Sequence, residues 1–134
     1  MALNHDLKGK TYATVTFTLD EEHVRRFAAA VGDDGSFVPP TIVTVPEIAA
    51  GLDQVIADTE LGIDFTRVVH GDQEFDWLRP LRPNETLVAT TTIESIRTKG
   101  SLEFLTLRTD MRDGSLDGEV VVIARSTMIV RLGA

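Results

Sequence analysis

The second half of the chain alternates apolar and polar residues over long stretches, which leaves little room for anything except β-strands. Four segments show the period of two that is typical of a strand with one buried face. The dipeptides Lys99-Gly100 and Asp113-Gly114 are typical of tight hairpin turns. Together they predict an antiparallel meander. The segments are RVVHGDQEFDWL (67–78), LVATTTIESIRT (87–98), SLEFLTLRTDM (101–111) and EVVVIARSTMIVR (119–131).

The first of these segments is predicted to have two chemically different faces. Regular strand alternation places Gln73, Phe75 and Trp77 on one face and His70, Asp72, Glu74 and Asp76 on the other. The stretch that follows, LRPLRPN (78–84), is predicted to be a loop, because its two prolines cannot belong to a central strand.

The first half of the chain predicts one strand and two helices. Residues 11–18 (TYATVTFT) alternate as a strand. A capping box formed by Thr18 and Glu21 predicts a helix over 19–31, and Gly32 is well suited to end it. A second and longer helix is predicted by an apolar stripe over four turns, with small residues in its middle that favour close packing. The stripe is Val45, Ile48, Ala49, Leu52, Val55 and Ile56.

This order of elements predicts an α+β fold with a single domain over residues 1–134. One strand, a short helix and a long helix are followed by four long strands, and the long helix is the natural cover for one face of the sheet. We therefore expect the hot-dog architecture, a curved antiparallel sheet wrapped around one long central helix.

Composition excludes several classes of function. A net charge of -8 argues against binding to nucleic acid, which depends on neutralised phosphates. No apolar run approaches the ~20 residues that cross a bilayer, and no signal peptide is evident, so we expect a cytoplasmic protein. The absence of cysteine excludes thiol chemistry, and the three histidines are widely spaced. No metal and no cofactor are expected.

Several motifs resemble the MaoC-like dehydratase family. They are FAAAVGDD (27–34), PPT (39–41), VHGDQEF (69–75) and RPLRPNETL (79–87). The most specific part is HGDQEF followed by RPLRPNETL. The likeness covers nearly the whole chain and is greatest to the N-terminal half-domain of the family, a type also seen as the non-catalytic subunit of mycobacterial (3R)-hydroxyacyl-ACP dehydratases.

The resemblance implies a hot-dog protein that acts on acyl thioesters of coenzyme A or acyl carrier protein. Catalytic members reversibly add water to a trans-2-enoyl thioester, using a loop with an Asp, four intervening residues and a His as acid and base. A backbone N–H at the start of the long helix stabilises the thioester oxygen. In this chain that donor would be Thr41 or Ile42, directly after Pro40.

The catalytic loop of the family is incomplete in VGDDGSFVPPT (31–41). The residue five positions beyond Asp33 is Val38, and the residue five beyond Asp34 is Pro39, so the histidine is missing. Asp33 and Asp34 are then either a polar turn that ends a helix or a remnant that positions water or substrate.

The other candidates each have a structural and a functional reading. His70 either acts as an acid or base with Asp72 or fixes the start of its strand, and Gly71 is expected to approach the central helix closely. Gln73 either reaches the start of the long helix or packs in the sheet. Trp77 lines an acyl tunnel or belongs to the core.

Arg79 and Arg82 are the candidate phosphate ligands for coenzyme A or the carrier arm, although a solvated strand end is the commoner explanation for such residues.

Two functions from different classes remain open, beside a plain acyl-thioester-binding protein. In the first, the chain is an accessory subunit that binds the acyl thioester and is completed by a catalytic hot-dog partner. In the second, it is a self-sufficient homodimeric hydratase or thioesterase that uses Asp33, Asp34 or His70.

Overall fold

The computed structural model describes residues 2–133 and contains a five-stranded antiparallel sheet with the order β1-β3-β4-β5-β2. Met1 and Ala134, the two ends of the predicted single domain, lie outside the described residues. Helices pack against one face of the sheet, so the α+β hot-dog prediction is confirmed. The strands are β1 (Val15–Thr18), β2 (Val68–Trp77), β3 (Thr86–Lys99), β4 (Leu102–Asp113) and β5 (Val120–Arg131).

The first helix, α1 (Glu21–Val31), begins differently from the predicted capping box. Its N-cap is Asp20, whose side chain accepts a hydrogen bond from the His23 N–H at 2.8 Å. Thr18 instead belongs to β1, and its hydroxyl pairs with that of Thr86 on β3 at 3.0 Å. Gly32 ends the helix in the left-handed conformation, with φ 75°, as predicted.

The predicted single long helix is wrong, because the segment is broken at Gly51. A 3-10 helix (Pro40–Val43) leads into α2 (Thr44–Ala50), and α3 (Leu52–Ala57) follows. Gly51 has φ -108° and ψ -85°, and a Cβ at this position would lie 3.3 Å from Thr91 Cγ2. Because Gly51 has no side chain, the backbone at the helix break can contact β3. Within residues 2–133, no helix has the length and hydrophobicity needed to cross a membrane.

Strand β2 contains a β-bulge that overturns the predicted division of its faces. Pairing with β5 shifts register between His70 and Asp72, leaving Gly71 as the extra residue. His70 lies opposite Met128 and Gln73 lies opposite Ser126, both buried partners, so these two side chains share the inner face. Asp72 lies on the outer face. His70 and Asp72 therefore do not form the predicted pair.

The expected close approach of Gly71 to the central helix is also wrong. A Cβ on Gly71 would lie 2.5 Å from the Cδ1 atom of Ile129 on β5. A larger residue here would require the Ile129 side chain to move, because the bulged backbone runs directly beside it.

A layer of polar side chains divides the core into two apolar clusters. One cluster contains Leu87, Ala89, Met111 and Ala124, and the other contains Ile93, Leu107, Met128 and Val130. Between the two clusters, one polar side chain projects inward from each of β2, β3, β4 and β5. A carboxylate from the covering helix α2 completes the layer. We name this layer the polar belt: Glu47, Gln73, Thr91, Thr109 and Ser126.

Candidate functional site

A cavity of about 360 Å³ lies between helices α2 and α3 and the inner face of the sheet, beside the edge strand β2. We name it the central cavity. Its walls are largely apolar, with a few polar groups that converge on the interior, as in small-molecule sites. The apolar wall includes Leu52, Phe65, Val68, Leu107 and Met128, and the polar groups are Glu47, His70, Gln73, Thr109 and Ser126.

Glu47 is the residue of this cavity that sequence reasoning missed. Its side chain is 7% exposed, and Gln73 Nε2 donates a hydrogen bond to its Oε2 at 2.9 Å. Burial raises the pKa of the Glu47 carboxyl, and the hydrogen bond from Gln73 and the nearby His70 oppose this rise only in part. The predicted apolar stripe did not point to it, because Glu47 is buried with Pro46 and Ala50, whereas the stripe residues Val45 and Ile48 are exposed.

His70 and Gln73 are brought together by the bulge in β2. Both line the central cavity, although they were predicted to lie on opposite faces. His70 is exposed at the edge of the sheet, whereas Gln73 is half-buried and reaches α2 through Glu47. Of the two predictions for Gln73, the structure agrees with contact to the helix rather than with packing in the sheet.

A second concave region, the loop groove, collects most of the remaining sequence-predicted residues. It has a volume of about 900 Å³ and lies between the loop after α1 and the end of β2. Its members among the candidates are Asp33, Asp34, Pro40, Thr41, Trp77 and Arg79.

The two adjacent carboxylates of the loop groove are held by their own turn. The Gly35 N–H donates to Asp33 Oδ1 at 2.8 Å. The Ser36 N–H and hydroxyl donate to Asp34 Oδ1 at 2.9 and 2.7 Å, and these bonds lower the pKa of Asp34. Both side chains are exposed. The lowered pKa makes Asp34 a weak base and a poor proton donor at neutral pH, and the local bonds of both residues favour the interpretation as a helix-ending turn.

The amide of Ile42 cannot serve as the expected oxyanion donor. It donates to the Pro39 carbonyl at 3.1 Å within the 3-10 turn, and the Ile42 side chain is 1% exposed in the core. The reason is the tight turn that precedes α2, which the sequence pattern did not separate from the helix. Thr41 is exposed and lines the loop groove.

Trp77 connects the end of β2 to the loop. Its indole Nε1 donates to the Pro40 carbonyl at 3.1 Å, and its ring packs against Phe75 with 5.2 Å between centroids. The residue is 38% exposed and forms one wall of the groove.

The guanidinium of Arg79 is already surrounded by carboxylates. Its Nε lies 2.9 Å from Glu119 Oε1, and its Nη2 lies 2.9 Å from Glu85 Oε2 and 3.4 Å from Asp113 Oδ2. With 14% of the side chain exposed, Arg79 anchors the loop before β3 to the turn between β4 and β5. Arg82 is exposed and is the better placed of the two arginines to meet an anion.

Comparisons with known proteins agree with this fold. The model of the FAS1-like dehydratase domain region matches residues 34–124. A UPF0336 protein of Streptomyces griseus is 35% identical, with 98% of this chain and 97% of the relative covered. A UPF0336 protein of Streptomyces coelicolor is 37% identical with the same coverage.

Solved structures share the architecture. The C-terminally truncated HadBC (3R-hydroxyacyl-ACP dehydratase) complex of Mycobacterium tuberculosis superposes with a TM-score of 0.78 at 23% identity, covering 92% of this chain and 97% of that chain. A MaoC-like dehydratase of Phytophthora capsici gives 0.77 at 22% identity, covering 98% of this chain and 52% of the other. The chain therefore shares the fold of the MaoC-like dehydratases, and it belongs to the family of FAS1-like dehydratase domain regions.

Proposed function

We propose that the chain is the acyl-thioester-binding subunit of an (R)-specific enoyl-thioester hydratase, equivalently a (3R)-hydroxyacyl dehydratase. The observation that carries this proposal is the central cavity of about 360 Å³, whose walls are largely apolar. Cavities of this size and lining are typical of sites for small molecules. An acyl chain can occupy such a space while its carrier, coenzyme A or acyl carrier protein, remains outside.

The Asp/His dyad of the reaction is expected to come from a second hot-dog chain. Asp33 and Asp34 are exposed and held in a local turn, and residues 31–41 contain no histidine. A dyad needs both an acid and a base within reach of the substrate. The loop of this chain supplies neither an acid nor a base of the kind that the dyad needs.

The edge strand β2 is the surface on which that partner would dock. It ends the sheet, and it also carries His70 and Gln73 in the wall of the central cavity. Unpaired sheet edges favour pairing with another strand. Among the structures that share the fold, HadBC and ChsH1-ChsH2 of Mycobacterium tuberculosis are complexes. A second copy of this chain would fit the same edge, so the partner is either a catalytic hot-dog chain or an identical one.

The proposal is tested by assaying hydration of trans-2-enoyl-CoA with the purified chain, first alone and then mixed with a hot-dog chain that carries the Asp-x4-His motif and is encoded beside it. We expect no turnover alone, binding of the thioester, and turnover in the mixture. Turnover by the isolated chain would contradict the accessory role.

One observation favours the second candidate, a self-sufficient homodimeric hydratase or thioesterase. Glu47 and His70 line the same cavity, and burial raises the pKa of Glu47. In that case one of the two groups would take a proton from the attacking water. The variants Glu47→Gln and His70→Ala, compared with Asp33→Ala and Asp34→Ala, would identify the responsible residue if the isolated chain shows turnover.

A further inference from the structure

The polar belt presents hydrogen-bonding groups to the interior of an otherwise apolar cavity. Four of its members line the central cavity: Glu47, Gln73, Thr109 and Ser126. They lie in one layer, with the apolar clusters above and below it. A hydrocarbon chain alone gives no reason for such a layer.

Two of these groups open into the cavity without a partner among residues 2–133, where water can still reach them. The Thr109 hydroxyl is paired with that of Thr91 at 2.6 Å, and Glu47 Oε2 accepts from Gln73. In contrast, Glu47 Oε1 and the Ser126 hydroxyl form no hydrogen bond with any residue in 2–133. Glu47 and Ser126 are 7% and 6% exposed, respectively.

Unpaired polar groups in this position restrict what can fill the cavity. Water can satisfy them while the site is empty. An alkyl chain would displace that water and leave both groups unpaired, which is unfavourable in a buried site. A ligand with its own donor and acceptor would replace the lost hydrogen bonds.

We infer that the central cavity selects acyl thioesters whose chain carries a hydroxyl, or a similar hydrogen-bonding substituent, beyond the carbons that react. This inference rests on the proposed function. In that assembly the reacting carbons lie at the dyad of the partner and the bulky carrier stays outside, so the cavity of this chain receives the remainder of the acyl group. Glu47 and Ser126 are the residues that determine specificity.

The inference is tested by measuring the affinity of the full chain for decanoyl-CoA and for a series of hydroxydecanoyl-CoA isomers. Each isomer carries its hydroxyl at a different position, from the third carbon to the last. We expect at least one isomer with a distal hydroxyl to bind about tenfold tighter than decanoyl-CoA, the factor that one additional buried hydrogen bond provides. Glu47→Leu and Ser126→Ala should each bring the ratio of the two dissociation constants close to one.

Glu74→Leu is the matched control, since Glu74 is an exposed carboxylate on the same strand as Gln73 but on the outer face. It should leave the preference unchanged. Ser126→Ala is a small change that tests the inference even if Glu47→Leu fails to fold.

The outcomes separate the two proposals. Equal binding of decanoyl-CoA and all hydroxylated isomers would overturn the specificity inference and leave the acyl-binding function intact. A preference that survives in both Glu47→Leu and Ser126→Ala would have the same meaning. Failure to bind any of these thioesters would overturn the proposed function, and with it the inference.

Discussion

Gln73 on the edge strand β2 donates a hydrogen bond of 2.9 Å to Glu47 on α2, and this bond joins the edge of the sheet to the helices that cover it. The carboxylate that receives it is almost completely buried. Since burial disfavours its charged form, the stability of this part of the fold depends on the ionisation of Glu47.

Replacing Glu47 by glutamine should stabilise the protein at neutral and higher pH. The pKa of Glu47 is raised by burial, so its contribution to stability is fully present below the ordinary value of 4.5 and is lost as pH rises through the folded-state pKa. The neutral amide avoids that loss, and we expect a gain of about 1 kcal/mol at about pH 8 and little change at about pH 4. Urea unfolding at the two pH values measures it. With Glu74→Gln as control, a destabilised Glu47→Gln variant at about pH 8 would contradict the assignment.

Glu103 on β4 should show the opposite dependence on pH. Burial alone would raise its pKa, but hydrogen bonds from the Leu3 N–H at 2.6 Å, from His5 and from the Thr98 hydroxyl outweigh it and lower the pKa. The stability it provides is therefore present above the ordinary value of 4.5 and is lost as pH falls through the lowered folded-state pKa.

Glu103→Leu would leave the buried Leu3 N–H unpaired, and we expect it to cost about 1–3 kcal/mol at neutral pH. The free energy of unfolding should become less sensitive to acid than in the wild type. Glu60→Gln, at an exposed position, serves as the control. An unchanged acid dependence in Glu103→Leu would show that the carboxylate does not hold the N-terminal segment.

Gly71→Ala should be destabilising because its new Cβ would lie 2.5 Å from Ile129 Cδ1. Because Gly71 is exposed and Ile129 is only partly buried, the Ile129 side chain can move to another rotamer, and we expect a cost of about 0.5–1.5 kcal/mol. The double variant with Ile129→Ala should recover part of the loss, with a coupling energy of about 0.5 kcal/mol or more in a double-mutant cycle. Additive effects of the two substitutions would mean that the clash is relieved elsewhere.

Arg79 and Arg82 should differ sharply when they are substituted. Arg79→Met removes a largely buried cation from the nearly buried Glu85, and we expect a cost of about 1–3 kcal/mol because Asp113 and Glu119 are more exposed and can be solvated. Arg82→Ala should leave the free energy of unfolding within about 0.5 kcal/mol of the wild type, since the residue is exposed. Urea unfolding measures both, and binding of acyl-CoA by Arg82→Ala then reports on the phosphate contact. A stable Arg79→Met variant would rule out the anchoring role.

The overall fold could be predicted because alternation along the later strands and the helical stripe before them are local patterns. The same patterns could not reveal the central cavity. His70 reaches the inner face only because β2 pairs with β5 around an extra residue at Gly71, and pairing between distant strands has no local signature. Glu47 is a single charged residue in an apolar helix, where a solvated position is the usual expectation. The break at Gly51 depends on its packing against Thr91.

The bulge at Gly71 also affects how relatives of this chain should be aligned. Because Gly71 is left out of the pairing, deletion of this one residue would restore regular alternation and keep both the imidazole and the amide on the inner face. Composition and motif spacing would hardly change. A homologue with a gap of one position at Gly71 therefore keeps its histidine in the cavity wall, whereas a homologue of equal length that pairs every residue of this strand would carry the histidine on the outer face.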